Sequence, residues 1–180
     1  MYHIKKDKRA YKSADLICDG LAKCLEVKKY NEISITDICD SIGVARSTFY
    51  RLFDTIEDIL VYQYDSLFDK CIDNFVNEKN NISYARVLLE FLVNNKSIVT
   101  TIVKSGRLDI LNYSTKRREL EIVDKIGLNI NKKEFVYFTP LLNQLAFVIL
   151  ETWMNEGCKE DAEQLYKRLK RELQIIYKSI

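Results

Sequence analysis

The chain has 180 residues and a net charge of +2, with 47% apolar and 30% charged residues. This is enough for a packed core under a solvated surface, in one generous domain or two small ones sharing a core, and it excludes a polycation. Five glycines and one proline are too few for a turn-rich sheet protein and favour helices with short connections.

Residues 8 to 29 read as a first helix, with Ala14, Leu16, Ile17, Leu21 and Leu25 at three-to-four spacing. The basic run Lys5, Lys6, Lys8, Arg9 and Lys12 opens it, and His3, the one histidine, falls in an N-terminus expected to fray. Ser34 followed by Asp37 is a capping signature for a second helix carrying Ile35, Ile38 and Ile42, and Gly43 stops it. A third helix runs over Arg46 to Phe53. Thr55 caps a fourth, with Glu57 and Asp58 suited to its positive end, which continues to about Val76. Asn77 to Asn81 is a polar break, and Ser83 opens the next helix. Short helices are expected over 98 to 105 and 114 to 127, and the pattern over 106 to 113 favours no element. Lys132 to Asn155, with FVYFTPLLNQLAFVILETWM at its heart, is apolar around most of its circumference and is expected to be buried on several sides. Pro140 should start or kink it, and Gly157 ends it. A last amphipathic helix spans 160 to 178.

The third helix raises the functional question. Phe49 and Leu52 form an inner face, while Arg46, Ser47, Thr48, Tyr50 and Arg51 share the outside and all donate hydrogen bonds. Two short helices about a glycine make a helix-turn-helix pattern, whose second helix enters the major groove of double-stranded DNA. There Arg46 fits a guanine edge, Ser47 and Thr48 permit close approach, and Tyr50 and Arg51 reach phosphate. Ser34 and Thr36 at the second helix's start suit another phosphate. The same pattern occurs in ordinary helical cores, so periodicity alone leaves DNA and a plain solvated face both open.

Residues 8 to 76 resemble the N-terminal region of TetR-type (TetR/AcrR) transcriptional regulators. The residues that carry the likeness are Ile35-Thr36-Asp37-Ile38, Ile42-Gly43-Val44, Ser47-Thr48-Phe49-Tyr50-Arg51-Leu52-Phe53 and Glu57-Asp58-Ile59-Leu60. The resemblance implies an all-α homodimer with a DNA-binding domain over 1–54. A larger helical ligand-binding and dimerisation domain over 55–180 would pair through a four-helix bundle. That bundle would be built from the last two long helices, with Leu142, Leu145, Ile149, Leu165, Leu169 and Leu173 at the interface. The implied function is a ligand-responsive repressor. Glu151-Thr152-Trp153 and Asn155-Glu156-Gly157 also resemble, more weakly, a subgroup that regulates dihydroxyacetone kinase genes. Leu52 and Ile56 depart from the family pattern, where polar groups that hold phosphate are common. They motivate an alternative: a co-regulator of the same fold that acts through protein contacts without binding DNA.

For an effector, a small and partly apolar molecule is expected, with Tyr62, Tyr64, Phe91, Tyr113, Phe138 and Trp153 as candidate lining. The same aromatics at helical spacing also suit plain core. No enzyme is expected, because there is no nucleophile–base pair and no phosphate-binding glycine loop. The spacing of Cys18, Cys24, Cys39, Cys71 and Cys158 argues against a metal, and no cofactor is expected. Cys39 and Cys71 read as small core residues. No stretch has the apolar length of a membrane span, and an odd cysteine count without an export signal points to the cytoplasm.

Overall fold

The computed structural model describes residues 1–4, 7–77, 84–118, 125 and 132–179. Among them the helices are α1 (Lys8–Val27), α2 (Ile35–Ile42), α3 (Arg46–Leu52), α4 (Ile56–Asn77), α5 (Tyr84–Asn94), α6 (Lys96–Ser105), α7 (Leu108–Arg117), α8 (Lys132–Asn155) and α9 (Ala162–Ser179), with a 3-10 turn at Tyr30–Glu32. The described residues form no strand, only an isolated antiparallel bridge between Tyr2 and Phe53.

Helix starts follow local chemistry. The Asp7 carboxylate accepts from the Arg9 amide at the start of α1. Ser34 and Asp37 close the expected capping box, with the Asp37 amide donating to Ser34 Oγ at 3.1 Å and the Ser34 amide donating to Asp37 Oδ2 at 2.9 Å. Gly43 takes φ 65°, the left-handed turn that releases α3 from α2. The Asp161 and Gln164 side chains cap α9 in the same reciprocal way.

Burial forms two clusters. The first joins α1, α2 and α3 through Ile17, Leu21, Ile38, Phe49 and Phe53 to Ile59 and Leu60 of α4. The second joins Leu67 of α4 to Leu89 and Leu92 of α5, Val99 of α6, Leu150 and Trp153 of α8, and Leu165 of α9. One helix, α4, therefore enters both cores. Cys39 and Cys71 are buried, as expected of small core residues.

At Gly20, α1 and α2 are in close contact. A Cβ there would meet the Ile38 carbonyl oxygen and Ile38 Cγ2, each at 3.0 Å, and Ile42 Cγ2 at 3.2 Å. Alanine normally favours a helix interior by up to about 1 kcal/mol over glycine. Here the backbone oxygen has no room to yield, so Gly20→Ala is expected to destabilise by about 1–3 kcal/mol, read as a lower urea midpoint. An unchanged or raised midpoint would show that the α1–α2 contact can relax.

Several sequence expectations change. Leu16 is exposed and lies outside the core, because α1 turns its Ile17–Leu21 stripe inward. The expected helix over 114–127 begins instead at Leu108, across the stretch whose pattern favoured no element. Arg107, just before it, binds Glu57 at 3.0 Å and Asp109 at 2.8 Å, which fixes the turn from a distance in sequence. That helix ends at Arg117, and most of the remaining expected span lies outside the described residues, as does Ser83. Pro140 does not start α8, which runs through it, and that leaves the kink of the two expected alternatives. The N-terminus is docked at the end of α3. The His3 amide donates to the Leu52 carbonyl at 2.8 Å, His3 Nε2 lies 3.0 Å from Asp54, and the Tyr2 hydroxyl donates to Asp65 at 2.9 Å.

Candidate nucleic-acid interface

The surface in question is built on α3. Its seven residues would not hold a helix alone, because nucleation is too costly at that length. Phe49 and Leu52 anchor it in the first core, and the Phe49 ring packs against Phe53 and against the edge of Tyr50. With that face buried, Arg46, Ser47, Tyr50 and Arg51 are exposed and Thr48 is half-buried. A seven-residue helix is about 10 Å long, and a DNA major groove is about 12 Å wide.

Ser34 and Thr36 are exposed at the start of α2. The capping carboxylate of Asp37 sits at the same helix end and would compete with a phosphate. Lys28 offsets it with an ion pair at 2.8 Å. Lys28, with the Ser34 amide and hydroxyl, holds the Asp37 carboxyl down at about 2. Its folded-state pKa is lowered, so its stabilising contribution is present above the unfolded value of 3.8 and is lost as pH falls through about 2. Across that window Asp37→Asn is expected to show a shallower acid loss of thermal stability than the wild type. Parallel curves would show that the capping carboxylate contributes nothing there.

Beside α3, His3, Asp7, Arg9 and Arg51 surround an open cleft of about 370 Å3. Arg9 is thereby brought to the end of α3, whereas Lys8 and Lys12 are exposed on α1 and Lys5 and Lys6 lie outside the described residues. Sequence reasoning missed His3 as a docked residue. The signal would have been the pairing of the N-terminal segment with Phe53, which no local pattern encodes.

The effector candidates do not share one place. Tyr62 is buried against α1, its hydroxyl 3.3 Å from Asp15. The Tyr64 hydroxyl meets Thr115 at 2.7 Å. Phe91 is half-buried in the second core. Tyr113 is 59% exposed, with the Arg117 guanidinium over its ring, and so lines no interior cavity. Phe138 is exposed on α8. Trp153 is buried, and its indole N–H donates to the Glu160 carbonyl at 2.9 Å, which ties α8 to the start of α9.

The last two helices diverge enough to leave a mostly apolar groove of about 600 Å3, bordered by Leu145, Ile149, Leu169, Leu173 and Ile176. Leu165 is 1% exposed in the protomer's own second core, where α9 packs on α5, and it also lines the floor of this groove. The Leu142 side chain lies outside the described residues. Further apolar side chains, Leu141, Val148, Ile175 and Tyr177, are exposed on the same two helices.

No family model and no curated protein matches the sequence. Solved structures do match. The fatty acid degradation regulator FadR from Bacillus halodurans aligns with a TM-score of 0.63 at 19% identity, over 93% of this chain and 95% of that one. A TetR transcriptional regulator from Streptococcus agalactiae aligns with a TM-score of 0.52 at 18% identity, over 91% and 94%. The chain shares the helical fold of these two regulators along nearly its whole length. Neither neighbour supports the weaker likeness to regulators of dihydroxyacetone kinase genes.

Proposed function

We propose that this chain is a cytoplasmic, homodimeric DNA-binding transcriptional regulator. In this reading it represses genes by reading an operator through α3 and responds to a small, partly apolar effector. The observation that carries the reading is the division of α3. Phe49 and Leu52 are sunk in the core, and the opposite side offers Arg46, Ser47, Tyr50 and Arg51 to solvent. Residues 1–54 would form the DNA-binding domain and 55–180 the ligand-binding and dimerisation domain. Pairing through the α8–α9 face would cover the exposed apolar side chains there and set the spacing of the two α3 helices along the duplex. A ligand that favours one orientation of α4, which enters both cores, would change that spacing. The fold neighbours are regulators and not enzymes, which agrees with a non-catalytic role.

Leu52 and Ile56 motivated a co-regulator that binds no DNA. Leu52 is 2% exposed and Ile56 packs against the same core. Both serve the anchoring of α3 and α4, so their apolar character does not by itself subtract from the DNA-facing surface.

The test is fluorescence anisotropy with DNA from upstream of the protein's own gene, beside scrambled duplex, over a range of salt. Selective binding that weakens with salt is expected. Arg46→Ala should cost about 1–3 kcal/mol at the specific site and relax base preference there. Unchanged specific affinity would remove Arg46 as a reader. The absence of salt-sensitive binding to any duplex would overturn the DNA reading in favour of the co-regulator.

A further inference from the structure

The first four residues alternate as a strand would. Tyr2 and Ile4 turn inward onto the first core, and Met1 and His3 are exposed. The backbone bond that holds them to α3 runs from the His3 amide to the Leu52 carbonyl at 2.8 Å. The Met1 amine meets Asp54 and Asp58 at 2.8 Å, and His3 Nε2 meets Asp54 at 3.0 Å. Met1 and His3 face water, where such pairs contribute little. The inward hold is Tyr2.

The Tyr2 ring stands edge-on to Tyr62, with centroids 5.6 Å apart, and its hydroxyl donates to Asp65 Oδ2 at 2.9 Å. Burial first, and then the Asp65 carboxylate, push that hydroxyl up to about 12, so it keeps its proton and donates. Asp65 is 5% exposed on α4. Its Oδ2 also takes an ion pair from Arg117, the last residue of α7, while Oδ1 has no hydrogen-bond partner among the described residues. Tyr2 and Arg117 therefore meet on one buried oxygen.

A buried carboxylate without its cation costs more than one hydroxyl donor offsets. If Arg117 withdraws, Asp65 gains most by turning toward water, and Tyr2 loses its acceptor. The place of Arg117 is set by what α7 touches. On the α4 side, Arg118 pairs with Asp69 and donates to the Asp65 carbonyl at 3.3 Å. On the other side, Asn143 of α8 donates to Asn112 at 3.0 Å and to Thr115 at 3.1 Å.

We propose that residues 1–4 are a strap across the end of α3, and that α7 controls its docking through the contact of Arg117, Asp65 and Tyr2. With Arg117 on Asp65, the strap braces α3. When α7 shifts against α8 and Arg117 leaves, the strap releases and α3 loses the brace. The purpose of the strap rests on the proposed reading of DNA by α3, and the lock itself does not.

The test is amide hydrogen exchange by nuclear magnetic resonance on the full chain without DNA, so its failure leaves the DNA reading standing. The wild-type His3 amide is expected to be protected. Arg117→Gln and Tyr2→Phe should each speed its exchange about fivefold or more relative to the Ile17 and Leu21 amides, which report the stability of the same core. The double variant should exchange no faster than Tyr2→Phe alone, because Arg117 acts on the strap through that hydroxyl. Tyr2→Phe keeps the ring on Tyr62 and decides the matter if Arg117→Gln fails to fold. Coupling is reciprocal, so it should also speed exchange in the last turn of α7. The proposal is overturned if the wild-type His3 amide is unprotected, if Arg117→Gln speeds it no more than Ile17 and Leu21, if the effects of the two substitutions multiply, or if Tyr2→Phe leaves α7 unchanged.

Discussion

Phe49→Ala is expected to lower the stability of the first core by about 3–5 kcal/mol, the usual range for removing a fully buried phenylalanine. That is a large share of the roughly 5–15 kcal/mol that holds an ordinary domain together. Phe49 is fully buried and packs against Phe53, so its loss opens a cavity where α3 is attached. Leu52 is then the remaining anchor within α3, and a seven-residue helix has no stability of its own. The proposed DNA binding should fail with it. The measurement follows from the position of Trp153, the single tryptophan, in the second core. Its emission should report that core, and far-ultraviolet circular dichroism should report helix throughout the chain. In Phe49→Ala, part of the circular dichroism signal is expected to melt early while the tryptophan transition stays near its wild-type temperature. If the two signals instead shift together, α4 has made the two cores one cooperative unit, and the division drawn here is wrong.

Charging the α8–α9 face should turn the proposed dimer into a monomer. Leu173 and Ile176 are 42% and 45% exposed, so glutamate at both leaves the protomer's packing intact. Inside an apolar interface, the same two carboxylates face desolvation of several kcal/mol each without a partner. Leu169 is a poorer probe, because it packs against the second core and its substitution would confound folding with assembly. The Leu173→Glu, Ile176→Glu double variant is expected to sediment as a folded monomer with wild-type helix content. It should also lose tight binding to a two-half-site operator while keeping weak, salt-sensitive affinity for DNA. A double variant that remains dimeric would place the interface elsewhere, and a wild type that is already monomeric would remove the dimer from the functional reading.

Much of the N-terminal region was legible because its instructions are short-range. Ser34 and Asp37 are three residues apart and satisfy each other's main-chain groups. Gly43 supplies the one conformation that the turn requires. Phe49 and Leu52 share a face simply by their spacing in a helix. The extent of α8 was equally plain from its nearly continuous apolar run, but the expected burial on several sides was not met within the protomer, where Tyr137, Phe138, Leu141 and Val148 stay exposed. The polar outer face of α3 followed from the same periodicity, so the proposed DNA-contacting residues could be named before any coordinates.

Tertiary structure decided what depends on partners far along the chain. The start of α7 rests on Arg107 reaching Glu57, and the order of the N-terminal segment rests on Tyr2 and His3 meeting Asp65, Asp54 and Leu52. Hydropathy marks Tyr113, Phe138, Trp153 and Leu165 alike as apolar. Only packing puts Trp153 and Leu165 inside the protomer and leaves Tyr113 and Phe138 outside. The burial of Gln63 on α4 was invisible for the same reason: a glutamine's neighbours are chosen by how helices dock, whereas its own helix is chosen by the residues beside it.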